Sequence, residues 1–192
     1  MNLPNKLTLL RIILIPVFVV FAANPGIPGA YLIAGAIFGV ASFTDFLDGH
    51  IARQRGLVTD FGKFADPLAD KILTTVAFIY MLQDGVCHPL VLVVIVVREF
   101  AVSGVRMVAA GAPQGRVIAA NQWGKIKTVL QMLTIILYYV WRGIENLGPP
   151  SPASASACQV TTAVLCWVVA AVTAISGVQY LWQNRQYINT AK

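Results

Sequence analysis

The chain has 192 residues, 57% of them hydrophobic and only 11% charged, with a mean hydropathy of +0.72. A soluble domain carries about 25% charged residues, so more than half of the usual charge is missing and lipid is the indicated solvent. The net charge of +6 does not point to nucleic acid, because the 14 Lys and Arg are spread along an apolar chain rather than gathered in one soluble patch. The length accommodates a single membrane domain over residues 1–192, with about six spans of about 20 residues and no separate soluble domain.

In chain order, the first predicted span covers 7–23, with Pro4-Asn5 and Thr8 as helix-start signals. Lys6 and Arg11 ahead of an apolar run have the general shape of a cleaved leader, but Pro16 interrupts the run and the rest of the chain is equally apolar. The turn-rich stretch 24–29 leads to a second span at 30–54 and a third at 61–82, ended by Asp84-Gly85. The fourth runs over 89–110 and breaks at Gly111-Ala112-Pro113. The fifth covers 123–141, a Pro/Ser/Ala loop covers 148–157, and the sixth span covers 159–182. Cys87, Cys158 and Cys166 have neither disulfide-framework nor metal-ligand spacing and read as small apolar packing residues.

The expected fold is therefore all-α, a polytopic membrane protein with six transmembrane helices. If the N-terminus is cytoplasmic, only Arg142 of the Lys and Arg lies at an outward span end, so both termini are expected in the cytoplasm. Trp141 and Trp182 at span ends suit either interfacial anchoring or core packing.

Half of the eight acidic residues, Asp45, Asp48, Asp66 and Asp70, fall inside the second and third spans. Each costs about 2.5–3.5 kcal/mol at mid-bilayer, less toward the interface, so four without a role would be a heavy load. Asp45, Asp48, Gly49 and Ala52 stand at i, i+3, i+4 and i+7, and Gly62, Asp66 and Asp70 at i, i+4 and i+8; each set shares one helix face. Both sets lie toward the same ends of consecutive antiparallel helices, so the carboxylate pairs can face one another. Divalent cations resolve the repulsion, and all-oxygen ligation favours Mg²⁺ or Mn²⁺. Gly49, Ala52 and Gly62 leave room on those faces for a planar base and a diphosphate, or equally for close helix packing. His50 is about 140° round the helix from Asp45 and reads as an interfacial polar residue, not a ligand.

The pattern Asp45-x2-Asp48-Gly49-x2-Ala52-Arg53-x8-Gly62-x3-Asp66-x3-Asp70 resembles, without a departure, the signature of the CDP-alcohol phosphotransferase family. The resemblance implies a helical membrane fold, a homodimer, and a two-metal site open to the cytoplasm. It implies that all four aspartates bind the metals, that Asp70 is also the base, and that Arg53 lies near the nucleotide diphosphate. Gly49, Ala52, Arg53 and Gly62 then belong to the CDP-lipid site.

That signature does not name the accepting alcohol. Arg98, Arg106, Lys125 and Lys127, in or beside the fourth and fifth spans, need an anionic partner. Glu99 shares a face with Ser103 and Arg106, so a Glu99–Arg106 pair is one expectation; a phosphate on the acceptor is the other. Further stretches, Asn2-Leu3-Pro4-Asn5-x2-Thr8-x2-Arg11, Ala65-Asp66-Pro67-x-Ala69-Asp70-Lys71, Arg98-Glu99-Phe100 and Trp123-Gly124-Lys125-x-Lys127-Thr128, are similar to bacterial family members that use glycerol 3-phosphate. This resemblance implies CDP-diacylglycerol as donor, sn-glycerol 3-phosphate as acceptor, and the bacterial cytoplasmic (inner) membrane as location. For Asn5, Thr8 and Arg11, helix capping and interfacial snorkelling are simpler accounts than donor contact. The rival readings are a sister enzyme using inositol phosphate or phosphatidylglycerol, and a cation transporter. Against transport, the aspartates cluster at one end of their spans, with no broken helix pair to mark a midplane site.

Overall fold

The computed structural model of the chain describes residues 3–55, 60–111, 122–149 and 151–187, and for residues 3–7, 45–55, 60–67, 70 and 110–111 the backbone alone. Six α-helices fill these segments: α1 (Leu3–Ala22), α2 (Ala30–Arg55), α3 (Asp60–Gln83), α4 (Pro89–Gly111), α5 (Gln122–Leu147) and α6 (Pro152–Gln183). A 3-10 turn (Arg185–Tyr187) follows, and no strand occurs among the described residues. The expected all-α architecture with six helices is present.

Four helices begin and end within a few residues of the expected spans; α5 and α6 do not. α5 continues to Leu147, and α6 starts at Pro152, so the loop expected over 148–157 shrinks to a short connection. Local chemistry explains the difference. The Ser151 side chain caps α6 by accepting from the Ser154 N–H at 3.4 Å, and a proline in the first turn forfeits no helical hydrogen bond. Trp141 Nε1 donates to Ser154 Oγ at 3.2 Å, tying the two lengthened helices together. An apolar span marks where lipid is, whereas a helix continues as far as its capping and neighbours permit.

The helices form a closed ring in the order α1, α2, α5, α6, α4, α3, returning to α1, and α3 also touches α2 and α5 across the middle. Small residues set the closest approach. A Cβ at Gly143 would lie 2.7 Å from the Leu32 nitrogen, and one at Gly35 would lie 3.0 Å from Tyr139 Cβ, so α2 and α5 meet nearly backbone to backbone. Phe18 packs edge-on to Tyr139 with centroids 5.3 Å apart, and Phe38 lies beside it in the core.

Outward faces are apolar on every helix, as Ile13, Phe43, Ile79, Phe100, Leu133 and Val178 illustrate, while Arg11, Gln131, Thr134, Thr173 and Ser176 are buried. A water-soluble bundle shows the reverse distribution. By length and composition α6 qualifies as a membrane-crossing helix, and Thr8–Ala22, Ala30–Thr44 and Lys71–Gln83 are shorter apolar stretches. α4 has the length of a span but carries Arg98, Glu99 and Arg106. Cys87, Cys158 and Cys166 are free thiols and buried, in keeping with packing roles.

Candidate functional site

α2 carries Asp45, Asp48, Gly49, Ala52 and Arg53 in its last three turns, and α3 carries Gly62, Asp66 and Asp70 in its first three. The two helices are consecutive and in contact, so the backbone brings both ends of the pattern to one end of the bundle. The side chains at these positions lie outside the described residues. Elsewhere among the described residues, no group of three or more His, Cys, Asp or Glu is placed to hold a metal.

One level along from these aspartates, a network of buried charge joins four helices. Glu99 Oε1 accepts from Arg98 Nη1 at 3.1 Å and also takes the Lys127 ammonium, so one carboxylate oxygen serves cations from α4 and α5. The second Arg98 arm, Nη2, donates to Ser176 Oγ on α6 at 2.8 Å. Arg98 Nε is buried with no hydrogen-bond partner among the described residues. Lys71 Nζ donates to Ser103 Oγ, which in turn donates to the Glu99 carbonyl at 2.8 Å. Lys71 follows Asp70 directly on α3, and Ser103 is one turn from Glu99 on α4, so these contacts link the Glu99 backbone to the residue next to Asp70.

The expected Glu99–Arg106 pair is not formed. Arg106 Nε instead donates to the Tyr180 hydroxyl at 3.3 Å, and the guanidinium lies 5.5 Å from that ring's centroid. Helical spacing put Glu99 and Arg106 on one face, but the ring of helices brings Lys127 to Glu99 and Tyr180 to Arg106, and tertiary partners prevail over an i, i+7 neighbour. Lys125 is exposed and has no ion pair among the described residues. Of the four basic residues marked from sequence, Arg98 and Lys127 therefore meet at one point, while Arg106 lies further along α4 and Lys125 points elsewhere.

Arg11 corrects another expectation. It is fully buried and does not snorkel to an interface; its Nε donates to the Ala41 carbonyl at 3.3 Å, one turn before Asp45 on α2. Thr8, one turn earlier on α1, is buried as well.

A second polar cluster closes the opposite end of the bundle. Asp84 Oδ2 accepts from the Tyr31 hydroxyl at 3.0 Å and from the Tyr138 hydroxyl. Glu145 receives Arg142 Nη1 at 3.2 Å on one oxygen and Ser154 Oγ at 2.6 Å on the other. A cavity of about 280 Å³ opens here beside Tyr31, Arg142 and Glu145, a bundle length away from the aspartates.

The sequence pattern of the CDP-alcohol phosphatidyltransferase family matches residues 1–178. The chain belongs to that family. Its relatives include three proteins named CDP-diacylglycerol–glycerol-3-phosphate 3-phosphatidyltransferase. That of Bacillus subtilis (strain 168) is 39% identical, covering 99% of this chain and 98% of the relative. That of Rickettsia bellii (strain RML369-C) is 34% identical over 97% of each chain. That of Pseudomonas fluorescens is 34% identical over 100% of this chain and 90% of the relative.

Ser176 and Tyr180 are members of this transferase's polar network that the sequence does not single out, while Lys71 and Ser103 stand out there only as parts of a motif and of a helix face, without a polar role. Lys71 had a weak signal, as a lysine next to a span aspartate. Ser176 and Tyr180 had none, since small hydroxyls and tyrosines are common in membrane helices and only the α4–α6 contact gives them partners.

Proposed function

We propose that this transferase moves the phosphatidyl group of CDP-diacylglycerol to sn-glycerol 3-phosphate, giving phosphatidylglycerophosphate and CMP. The observation that carries the acceptor is the Arg98–Glu99–Lys127 cluster between α4 and α5, in which Arg98 Nε is a buried donor with no hydrogen-bond partner among the described residues. A phosphorylated alcohol brings an anion that can take this donor in a charge-assisted hydrogen bond; a neutral alcohol does not. The names of full-length relatives support the same acceptor.

The donor set of Asp45, Asp48, Asp66 and Asp70 is all carboxylate oxygen, which fits two hard divalent cations, Mg²⁺ or Mn²⁺. Bound there, such ions would neutralise the diphosphate and the charge developing on the leaving CMP. Asp70 takes the proton of the attacking hydroxyl. Arg53 lies by the diphosphate, and Gly49, Ala52 and Gly62 leave space for the cytidine. Arg98 and Lys127 hold the acceptor phosphate, with Arg106 and Lys125 nearer the entrance.

In this reading residues 1–192 form one membrane domain with six spans, both termini and the active site facing the cytoplasm, in the inner membrane of a bacterium, as a homodimer. The apolar outward faces on all six helices support the spans, and the bias of basic residues to one side, Arg142 excepted, supports the orientation. The deciding experiment is CMP release from CDP-diacylglycerol in detergent, with and without chelator, across glycerol 3-phosphate, glycerol, inositol phosphate and phosphatidylglycerol. Metal-dependent release specific to glycerol 3-phosphate is expected. A better rate with another acceptor overturns the substrate, and chelator-insensitive release overturns the metal chemistry.

A further inference from the structure

On the face of α1 turned into the bundle, the buried positions are Thr8, Arg11, Ile15, Phe18 and Ala22, spaced by three and four residues. The three nearer the Asp84 end are apolar and pack in the core; the two nearer the aspartates are polar. A leucine would fill the place of Arg11 without burying a charge, whereas a guanidinium with no exposed surface is costly among apolar helices. What it reaches supplies a reason. Arg11 Nε donates to the Ala41 carbonyl at 3.3 Å, and the Thr44 hydroxyl donates to the same oxygen at 2.8 Å. In an α-helix that oxygen is also the acceptor for the N–H four residues on, which here belongs to Asp45. A carbonyl has two lone pairs, so three donors share it, and back-bonding of the Thr44 kind bends helices. The turn that leads to Asp45 is therefore not held by the helix's own bond alone. The Nε contact is one of the interactions of Arg11, not the whole of them.

We propose that Arg11 is a positioning residue for the metal site: from α1 it holds the turn of α2 from which Asp45 serves a divalent cation, with Thr44 gripping the same carbonyl. The proposal rests on the reading of Asp45 as a metal ligand and adds a residue whose own charge opposes the metal. The sign of the effect therefore separates the roles open to it. A guanidinium bonded one turn from Asp45 repels a cation, so if Arg11 acted by charge alone, removing it would tighten metal binding. If it holds the turn, removing it weakens metal binding although a repulsion has gone. If it only joins α1 to α2, metal binding stays as it was and stability falls.

The test is Mn²⁺ binding to the detergent-purified protein, read by electron paramagnetic resonance of the free ion, together with Mg²⁺ activation of CMP release. For Arg11→Gln the Mn²⁺ Kd and the Mg²⁺ activation constant should both rise roughly 10- to 100-fold, the range for losing a group that orients a metal ligand. At saturating metal, kcat and both substrate KM values should return to within about 3-fold of the parent, because the ligands themselves remain. Arg11→Lys, whose ammonium can donate to the same carbonyl, should recover part of the loss. Thr44→Val, which alters no charge and keeps the side-chain shape, should raise the Mn²⁺ Kd by about 2- to 5-fold. A Mn²⁺ Kd in Arg11→Gln that is unchanged or lower overturns the proposal. So does a loss of thermal stability in Arg11→Lys and Thr44→Val with Mn²⁺ binding intact, which marks a contact that only joins two helices. These two variants decide the matter even if Arg11→Gln fails to insert. A parent enzyme that binds no Mn²⁺, or binds it equally well after Asp45→Asn, overturns the metal reading and this proposal together, and is recognised before Arg11 is changed.

Discussion

At the end of the bundle away from the aspartates, Asp84 receives the hydroxyls of Tyr31 and Tyr138, and Glu145 divides its two oxygens between Arg142 and Ser154. Near the aspartate end, one oxygen of Glu99 takes both Arg98 and Lys127, and the Arg98 Nε has no partner among the described residues. Both clusters are at least half-buried, both join several helices, and both are rich in polar atoms. In the first, the carboxylate oxygens are met by donors from the protein itself; in the second, a buried guanidinium donor has no hydrogen-bond partner among the described residues. Burial of charge alone is thus a poor guide to function. A charged group with a buried donor still unanswered is a better one, because in a lipid-facing bundle no water is at hand to take it.

This contrast predicts that variants near the aspartates lose turnover while keeping their fold, and that variants at the opposite end do the reverse. The largest effect is expected from Asp45→Asn, Asp48→Asn or Asp66→Asn, each of which should abolish CMP release while the protein still inserts and purifies. Near-normal turnover in any of the three would remove that residue from the metal site. Asp70→Asn should slow turnover by at least about 10²-fold, since a positioned base contributes about 10²–10⁴. Metal titration of that variant separates its roles, because near-normal ion binding with slow turnover isolates the base.

Smaller effects follow along the network. Arg98→Gln or Lys127→Gln should worsen kcat/KM for glycerol 3-phosphate by roughly 10- to 150-fold and leave the CDP-diacylglycerol KM nearly unmoved. Lys125→Gln should do less than either, because Lys125 is exposed and away from the pair. Equal effects in all three would dissolve the distinction drawn between them. At the opposite end, Tyr138→Phe removes one donor to Asp84 and should cost about 0.6–1.7 kcal/mol of stability, the range for hydrogen bonds between membrane helices. Turnover per folded molecule should change less than 2-fold. A Tyr138→Phe enzyme that is equally stable but slow would show that the two ends are not independent.

Composition and spacing were enough to settle much of this protein. The charge deficit and the apolar runs marked six helices, since a chain in lipid must satisfy its backbone within each span, and the bounds of four of them follow from that alone to within a few residues. The four aspartates were legible because carboxylates in apolar segments are expensive and their i, i+3 and i+4 spacing is a local property of a helix. Partnership across helices was not legible. Glu99 with Lys127, Arg98 with Ser176 and Arg106 with Tyr180 are joined over 28 to 78 residues of sequence, and Arg11 is buried against Ala41 rather than extended to an interface. The residues themselves announce only that charge is present in an apolar helix. Which charge answers which depends on how the six helices close into a ring, and that closure is governed by small residues such as Gly35, Gly143 and Gly177, whose effect lies in the neighbour they admit.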